Sequence, residues 1–286
     1  MKLEDWHTHN DLCRHAIGKC EDYITKAIEL SLTTIGLSDH FPYGYLSSVL
    51  PSINEIPYQE YSMNIEEIQL YLDNLENLKE KYNSKIDVKI AFEIDFFKDH
   101  EQTLNDHLNP FKKRLDYILG SVHMLFGTGG IFAFDDRRFL DKYNNYNSID
   151  EIYILYYNTV QEMIKTKQFE RDIISHFDLP KKFNKRPIDK ENIMNKVTET
   201  LELIKKSGLT VEINTSGLRR DVGEQYPSLE IIKLMYELDI PILLGSDAHH
   251  PDEIAYDFLH IIDILRKTGY SQLAHYEKRK RYWIEI

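Results

Sequence analysis

Seven short apolar runs, each separated from the next by a longer stretch with helical or loop character, constrain the fold of this chain more than any other feature. The runs cover 3–6, 34–37, 88–92, 117–119, 173–175, 210–213 and 242–244. Between them, 21–30, 61–82, 149–169, 190–206 and 228–238 place Leu, Ile, Val and Met at three- and four-residue spacing, the period of helices packed on one face. Alternation of this kind predicts βα units around a parallel sheet. At 286 residues the chain is within the size of one α/β barrel, so 1–286 reads as a single domain. Ser148, Asp189 and Ser228 are expected N-caps, and Gly208 a helix stop. The stretches 41–60 and 126–147 break the repeat and read as long loops that cover a site.

Several classes of function are excluded early. With 47 acidic against 35 basic residues, the chain lacks the broad positive surface that nucleic acid requires. Apolar runs are too short for a membrane span, and the N-terminus MKLEDWHTHNDL has none of the apolar stretch of a signal peptide, so a cytoplasmic location is expected. Cys13 and Cys20 are too few for a disulfide framework and read as reduced thiols.

The informative residues stand where the apolar runs end. His7 and His9 follow the first, Asp39 and His40 the second, Glu93 and Asp95 the third, His123 the fourth, His176 the fifth, and Asp247, His249 and His250 the last. In a parallel barrel all the C-terminal strand ends open on one face, so these side chains converge there. Strand alternation sends both imidazoles of His7-Thr8-His9 to the same side, and GSDAHH offers Asp247 and His249 in the same register. Glu93 stands between Phe92 and Ile94, where an unpaired carboxylate is costly to bury and a cation or an ion pair would compensate it. Imidazoles mixed with carboxylates suit zinc, manganese or iron. Such metals, a few ångströms apart, activate water near neutral pH and clamp substrate oxygens, which is hydrolytic chemistry. His100, His107, His260 and His275 read as structural hydrogen-bonders in helices or tails, and the tyrosines of 143–157 as helix packing.

In order, WHTHND, His15, SDH, the Glu93 strand, GSVH, SHFD and GSDAH resemble the motifs of the polymerase and histidinol phosphatase (PHP) family. Met124 and Leu125 after GSVH, the lysines after HFDL, and EINTSGLR are most similar to its histidinol-phosphatase branch. The resemblance implies a distorted (β/α)7 barrel with a site for three divalent metal ions. It assigns His7, His9, Glu93 and Asp247 to one metal, Glu93 with His123 and His176 to a second, and His15, His40 and His249 to a third. Glu93 would be the bridging carboxylate. The implied reaction is hydrolysis of L-histidinol phosphate. In this chain Asn10 to Cys13 precede His15, and Pro180 and Lys181 stand where an aliphatic residue and arginine are common.

The expected substrate is thus a small phosphate monoester, with no nucleic acid and no membrane partner, and with homo-oligomerisation left open. Arg219 is the expected phosphate ligand, since a guanidinium grips two oxygens at once, with Lys181 and Lys182 as further cations. Glu93, Asp247 and Asp39 are the expected catalytic carboxylates, Asp39 and Asp11 serving to orient imidazoles or to protonate the leaving group, while Asp95 and Asp178 are expected to face the cationic part of the substrate. Other readings of the same metals are a nucleotide, oligonucleotide or phosphotyrosine phosphatase, or a metal-binding module without catalysis.

Overall fold

The computed structural model describes residues 2–286. Its strands are β1 (Glu4–Asp5), β2 (Thr34–Leu37), β3 (Asp87–Asp95), β4 (Tyr117–Ser121), β5 (Met124–Gly127), β6 (Gly130–Ala133), β7 (Ile173–Ile174), β8 (Thr210–Asn214), β9 (Ile242–Gly245), β10 (Gln272–Glu277) and β11 (Lys280–Glu285). Seven of them form one parallel sheet in the order β1-β2-β3-β4-β7-β8-β9. The Trp6 N–H donates to the Leu244 carbonyl, Asp247 N–H to His7 and His9 N–H to Ala248, at 2.8–3.0 Å, which joins the last strand to the first. The seven-stranded α/β barrel expected from the alternation is the observed fold.

Helices α1 (Cys20–Glu29), α2 (Ile68–Tyr82), α3 (Glu101–Leu108), α4 (Ile149–Lys165), α5 (Lys190–Ser207), α6 (Leu229–Glu237) and α7 (Phe258–Thr268) surround the sheet. Ser148 caps α4 and Asp189 caps α5 through their side chains, and Gly208 ends α5 in the left-handed conformation with φ 72°. Ser228 sits at the N-cap of α6 without a side-chain bond; its N–H donates instead to Asp178. The expected helix over 61–82 starts later, because Asn64 and Glu67 form a reciprocal cap that opens a single 3₁₀ turn before α2. Tyr153, Tyr156 and Tyr157 of α4 are buried, so the tyrosine-rich segment packs as expected.

Inside the barrel Trp6, Tyr117, Leu119, Ile173 and Leu243 pack with Ala274 and Tyr276. The last two belong to the β10–β11 hairpin, which plugs the end of the barrel opposite the strand C-termini. The Trp6 and Tyr117 rings meet edge to face at 5.1 Å, an arrangement worth about 0.5–1.5 kcal/mol beyond the area it buries. His275 lies in this plug, not in a helix or a tail, and its Nδ1 is 2.9 Å from Glu4. No helix among the described residues is long and apolar enough to cross a membrane.

Candidate metal centre

The open end of the barrel gathers the predicted ligands. His7 and His9 follow β1 with Thr8 bridged to Ala248, and His40 extends β2 by a bridge to Glu93. Glu93 and Asp95 lie within β3, which runs three residues past its expected end. His176 and Asp247 leave their strands with φ of 20° and 52°, a conformation disfavoured for residues other than glycine and found where a site over-determines the backbone.

The rings meet in pairs. Nε2 of His7 is 3.0 Å from Nε2 of His9, His123 is 3.0 Å from His176, and His249 is 3.1 Å from His15. Acceptors stand at the other nitrogen of most of these rings. His7 Nδ1 is 2.7 Å from Glu212, His123 Nδ1 2.9 Å from Asp95, His249 Nδ1 3.0 Å from the Asp247 carbonyl, and His15 Nδ1 2.8 Å from the Cys13 carbonyl. Those contacts favour a proton on Nδ1 of His7, His123, His249 and His15 and turn Nε2 toward the partner ring, so that two neutral rings would present facing lone pairs that a cation between them satisfies. Two nitrogens on one tetrahedral ion stand roughly 3.3 Å apart for bonds of about 2.0–2.1 Å. Three donor groups, His7 with His9 and Glu93, Glu93 with His123 and His176, and His15 with His40 and His249, each fall within 4.8 Å. Asp247 adds to the first, with Oδ1 3.3 Å from His9 Nε2. The residues present therefore fit divalent cations.

Burial opposes charge on each of these groups. At Glu93 and Asp247 the surrounding imidazoles outweigh it and hold both carboxyls well below their ordinary range. At His9 burial is overcome by Asp247 and Asp39, and the pKa rises to about 9; at His123 Asp95 and Glu93 raise it to about 10. Burial prevails at His40 and His249, which drop well below the usual value, and His15 drops as well. His7 is raised as well, by Glu212 and Glu93, so a metal binding here displaces the protons that the carboxylates draw onto His7, His9 and His123, since ligation requires neutral imidazoles beside ionised carboxylates.

Above these side chains lies a cleft of about 870 Å³, lined also by Glu60, Tyr61, Asp135, Asp136, Arg138, Lys182, Arg219 and Arg220. Both stretches expected to cover a site contribute to its wall. The first is a series of 3₁₀ turns anchored by buried Tyr43, Tyr45 and Ile53. The second is the β5–β6 hairpin followed by a 3₁₀ segment over Arg137–Asn145.

The expected phosphate ligands do not all reach this cleft. Arg219 does: Nη2 donates to the Ser246 carbonyl at 2.9 Å and Nε stands 3.4 Å from Glu253 in an ion pair, while Nη1 is buried without an acceptor. Lys182 lines the cleft and pairs with Asp135 at 2.8 Å. Lys181 is buried against Asp178 and Glu224 at 2.9 and 3.0 Å, outside the lining. Arg220 lines the cleft as an exposed residue. Asp39 lies behind His9, with Oδ1 3.4 Å from its Nδ1, and Asp11 pairs with Lys19 at the surface. Asp95 and Asp178 are engaged by His123 and Lys181 and lie outside the lining; besides Glu93 and Asp247, the acids of the cleft are Glu60, Asp135, Asp136, Asp221 and Glu253, each paired with a basic side chain. His250 lines the cleft and accepts from the Asp252 N–H.

Glu212 was not anticipated. From the middle of β8 its Oε1 receives His7 Nδ1 and its Oε2 the His176 N–H, both at 2.7 Å. It thereby braces ligands of two metal groups, the kind of outer contact that fixes ring orientation and tautomer. The sequence signal is Val211-Glu212-Ile213, the same apolar bracketing that marks Glu93.

The model of the family described as PHP domain matches residues 5–216. The chain belongs to the PHP domain family. Within this family it is 30% identical over 267 residues to the "Probable histidinol-phosphatase" of Deinococcus radiodurans, a match covering 93% of this chain and 94% of that protein. It is 24% identical to the histidinol-phosphatase of Bacillus subtilis, covering 90% and 97%. This PHP domain also superposes on the crystal structure of histidinol phosphate phosphatase from Lactococcus lactis, complexed with zinc, L-histidinol and phosphate. That match has a TM-score of 0.77 at 18% identity and covers 98% and 99% of the two chains.

Proposed function

We propose that this PHP domain hydrolyses L-histidinol phosphate to L-histidinol and phosphate, a step of histidine biosynthesis, as a single catalytic domain over 1–286 acting in the cytoplasm. The observation that carries this reading is the convergence of paired imidazoles, Glu93 and Asp247 beneath a cleft whose wall holds the Arg219 guanidinium. Relatives named histidinol-phosphatase match nearly the whole chain, and the related fold from Lactococcus was crystallised with zinc, L-histidinol and phosphate.

His7, His9, Glu93 and Asp247 would hold one ion, Glu93, His123 and His176 a second, and His15, His40 and His249 a third, each zinc, manganese or iron. Divalent ions, when bound, supply Lewis acidity that activates water and neutralises phosphoryl charge. The chain's own groups orient the reaction. Glu212 and Asp95 keep protons at Nδ1 of His7 and His123, and Asp39 steadies His9. The Arg219 guanidinium, turned from Glu253 toward the cleft, donates to the phosphoryl oxygens, with Lys182 adding charge. Asp247, part-exposed to the cleft and held ionised by the imidazoles around it, accepts a hydrogen bond from the attacking water and orients it. Glu60, Asp135 and Asp136 on the wall offer acceptors to a cationic amine and imidazole.

Phosphate release measured across monoesters, with metal analysis of the same sample, tests this reading. The highest kcat/KM is expected for L-histidinol phosphate. Preference for a nucleotide or phosphotyrosine would assign the domain to another phosphoesterase, and metal binding without turnover to a non-catalytic module.

A further inference from the structure

Of the nine proposed ligands, eight stand in or directly after barrel strands, whose hydrogen bonds fix them. His15 does not. It lies in the loop after a 3₁₀ turn over Asp11–Cys13, it is exposed, and Arg14 before it has φ 72°. Something other than the barrel must hold its ring against His249.

The contacts of His15 point to the first covering loop. Its Nδ1 lies 2.8 Å from the Cys13 carbonyl and 3.2 Å from the Glu60 carbonyl. The Tyr61 ring meets it edge to face at 6.3 Å and 89°. Arg14 pairs with Glu67, just beyond the same loop. Residues 60–67 thus grip both the third-site ligand and its neighbour.

That loop is in turn tied to the second one across the cleft. Tyr61 donates its hydroxyl to Asp136. Arg138 reaches Glu60 at 2.7 Å, the Tyr61 hydroxyl at 3.0 Å and Asp136 at 2.7 Å, and its guanidinium stands 5.5 Å from the centre of the Tyr61 ring. Arg138 and Glu60 are 52% and 61% exposed, so water and salt screen their attraction and the bridge can open.

We infer that this bridge, Glu60 and Tyr61 on one loop with Asp136 and Arg138 on the other, is a positioning device for His15 and so sets occupancy of the third metal site. Closure presents the Glu60 carbonyl to Nδ1, which keeps the proton there and the Nε2 lone pair free for the ion. Coupling of two equilibria is reciprocal, so an ion bound by His15, His40 and His249 holds the loops closed. The inference rests on the three-metal reading of this PHP domain.

The test titrates metal into chelator-stripped full-length protein and counts ions by mass spectrometry, using wild type, R138A, R138K and Y61F. Hydrogen exchange of 57–64 and 136–146 is followed with and without zinc. Wild type is expected to hold three ions, and R138A to keep two while binding the third roughly 2–5-fold more weakly, the scale of a solvent-exposed ion pair that acts on the ligand through Glu60 and Tyr61. R138K should recover part of the loss, and Y61F, which keeps the ring but not the hydroxyl bond, should fall between. Zinc should protect both loops in wild type and much less in R138A. Three ions with unchanged affinity in R138A and Y61F would overturn the coupling alone. Two ions in wild type would overturn the three-metal reading and the coupling with it.

Discussion

Replacing Glu212 with Gln keeps the volume of a buried side chain and changes only its donors and acceptors. The carboxylate now accepts at both oxygens, from His7 Nδ1 and from the His176 N–H, each at 2.7 Å, with Asn214 Nδ2 adding a contact at 3.1 Å to Oε2. An amide has one acceptor and one NH2 group. If its oxygen serves the His176 N–H, its NH2 confronts Nδ1–H of His7, and relief requires that ring to move its proton to Nε2, which removes the lone pair from the metal. If the amide turns round, the NH2 confronts the His176 N–H and leaves a buried donor unpaired, at about 1–3 kcal/mol. Either way metal affinity at the His7 or His176 group should fall about 10–100-fold, about 1.4–2.7 kcal/mol at the tenfold increment of roughly 1.4 kcal/mol. Calorimetric zinc titration of stripped E212Q measures this directly, and circular dichroism checks that the barrel has formed. Affinity within about threefold of wild type in a folded variant would refute the bracing role.

Other expected outcomes are more compact. Adding a Cβ at Gly245 would place it 1.8 Å from Glu212 Oε1 and 2.8 Å from His7 Cβ, so G245A should lower metal content as E212Q does; full occupancy in a crystal of G245A would contradict it. E93Q should lose turnover and metal while far-ultraviolet circular dichroism stays near wild type, because the carboxylate shared by two donor groups loses its charge. R219A should lower kcat/KM at least tenfold, R219K should recover part of that, and R220A should cost less than about threefold; equal, small effects at both positions would remove Arg219 as the phosphate clamp. Stripping metal should lower Tm by about 8 °C or more relative to protein with free ion near a thousand times Kd, from about 4 kcal/mol of linkage, and a scanning calorimeter showing no shift would exclude coupling of metal to folding.

The barrel and the convergence of side chains at its open end were legible because both announce themselves locally, as apolar runs that end in His, Asp or Glu. What escaped the reading depended on contacts distant in sequence. Glu212 carries the same bracketing as Glu93, yet it lies within its strand, and only the fold reveals that it faces His7 across more than 200 residues. Lys181 and Lys182 are indistinguishable as neighbours. The 3₁₀ turn over Leu179–Lys181, entered from Asp178 in the left-handed conformation, sends one lysine into an ion-paired interior and the other to the cleft. The hairpin of β10 and β11 was hidden because its turn residues are Lys278 and Arg279, with φ of 48° and 63°, where Asn and Gly are the usual signal. Arg279 is held there by Asp172 and Glu170, and its N–H donates to Asp116, partners no local pattern discloses. Helix α3 is only eight residues long and offers too little periodicity to be distinguished from loop.

The hairpin that plugs the barrel has a kinetic consequence. With Ala274 and Tyr276 packed into the interior, the end of the barrel opposite the cleft is closed, so what enters at the strand C-termini is expected to leave there. On the proposed reading, phosphate forms at the inner end against the His, Asp and Glu cluster and the alcohol nearer the mouth, so the alcohol is expected to depart first. Phosphate is then expected to compete with substrate, and added alcohol to slow turnover even when substrate is saturating; product-inhibition kinetics check the order.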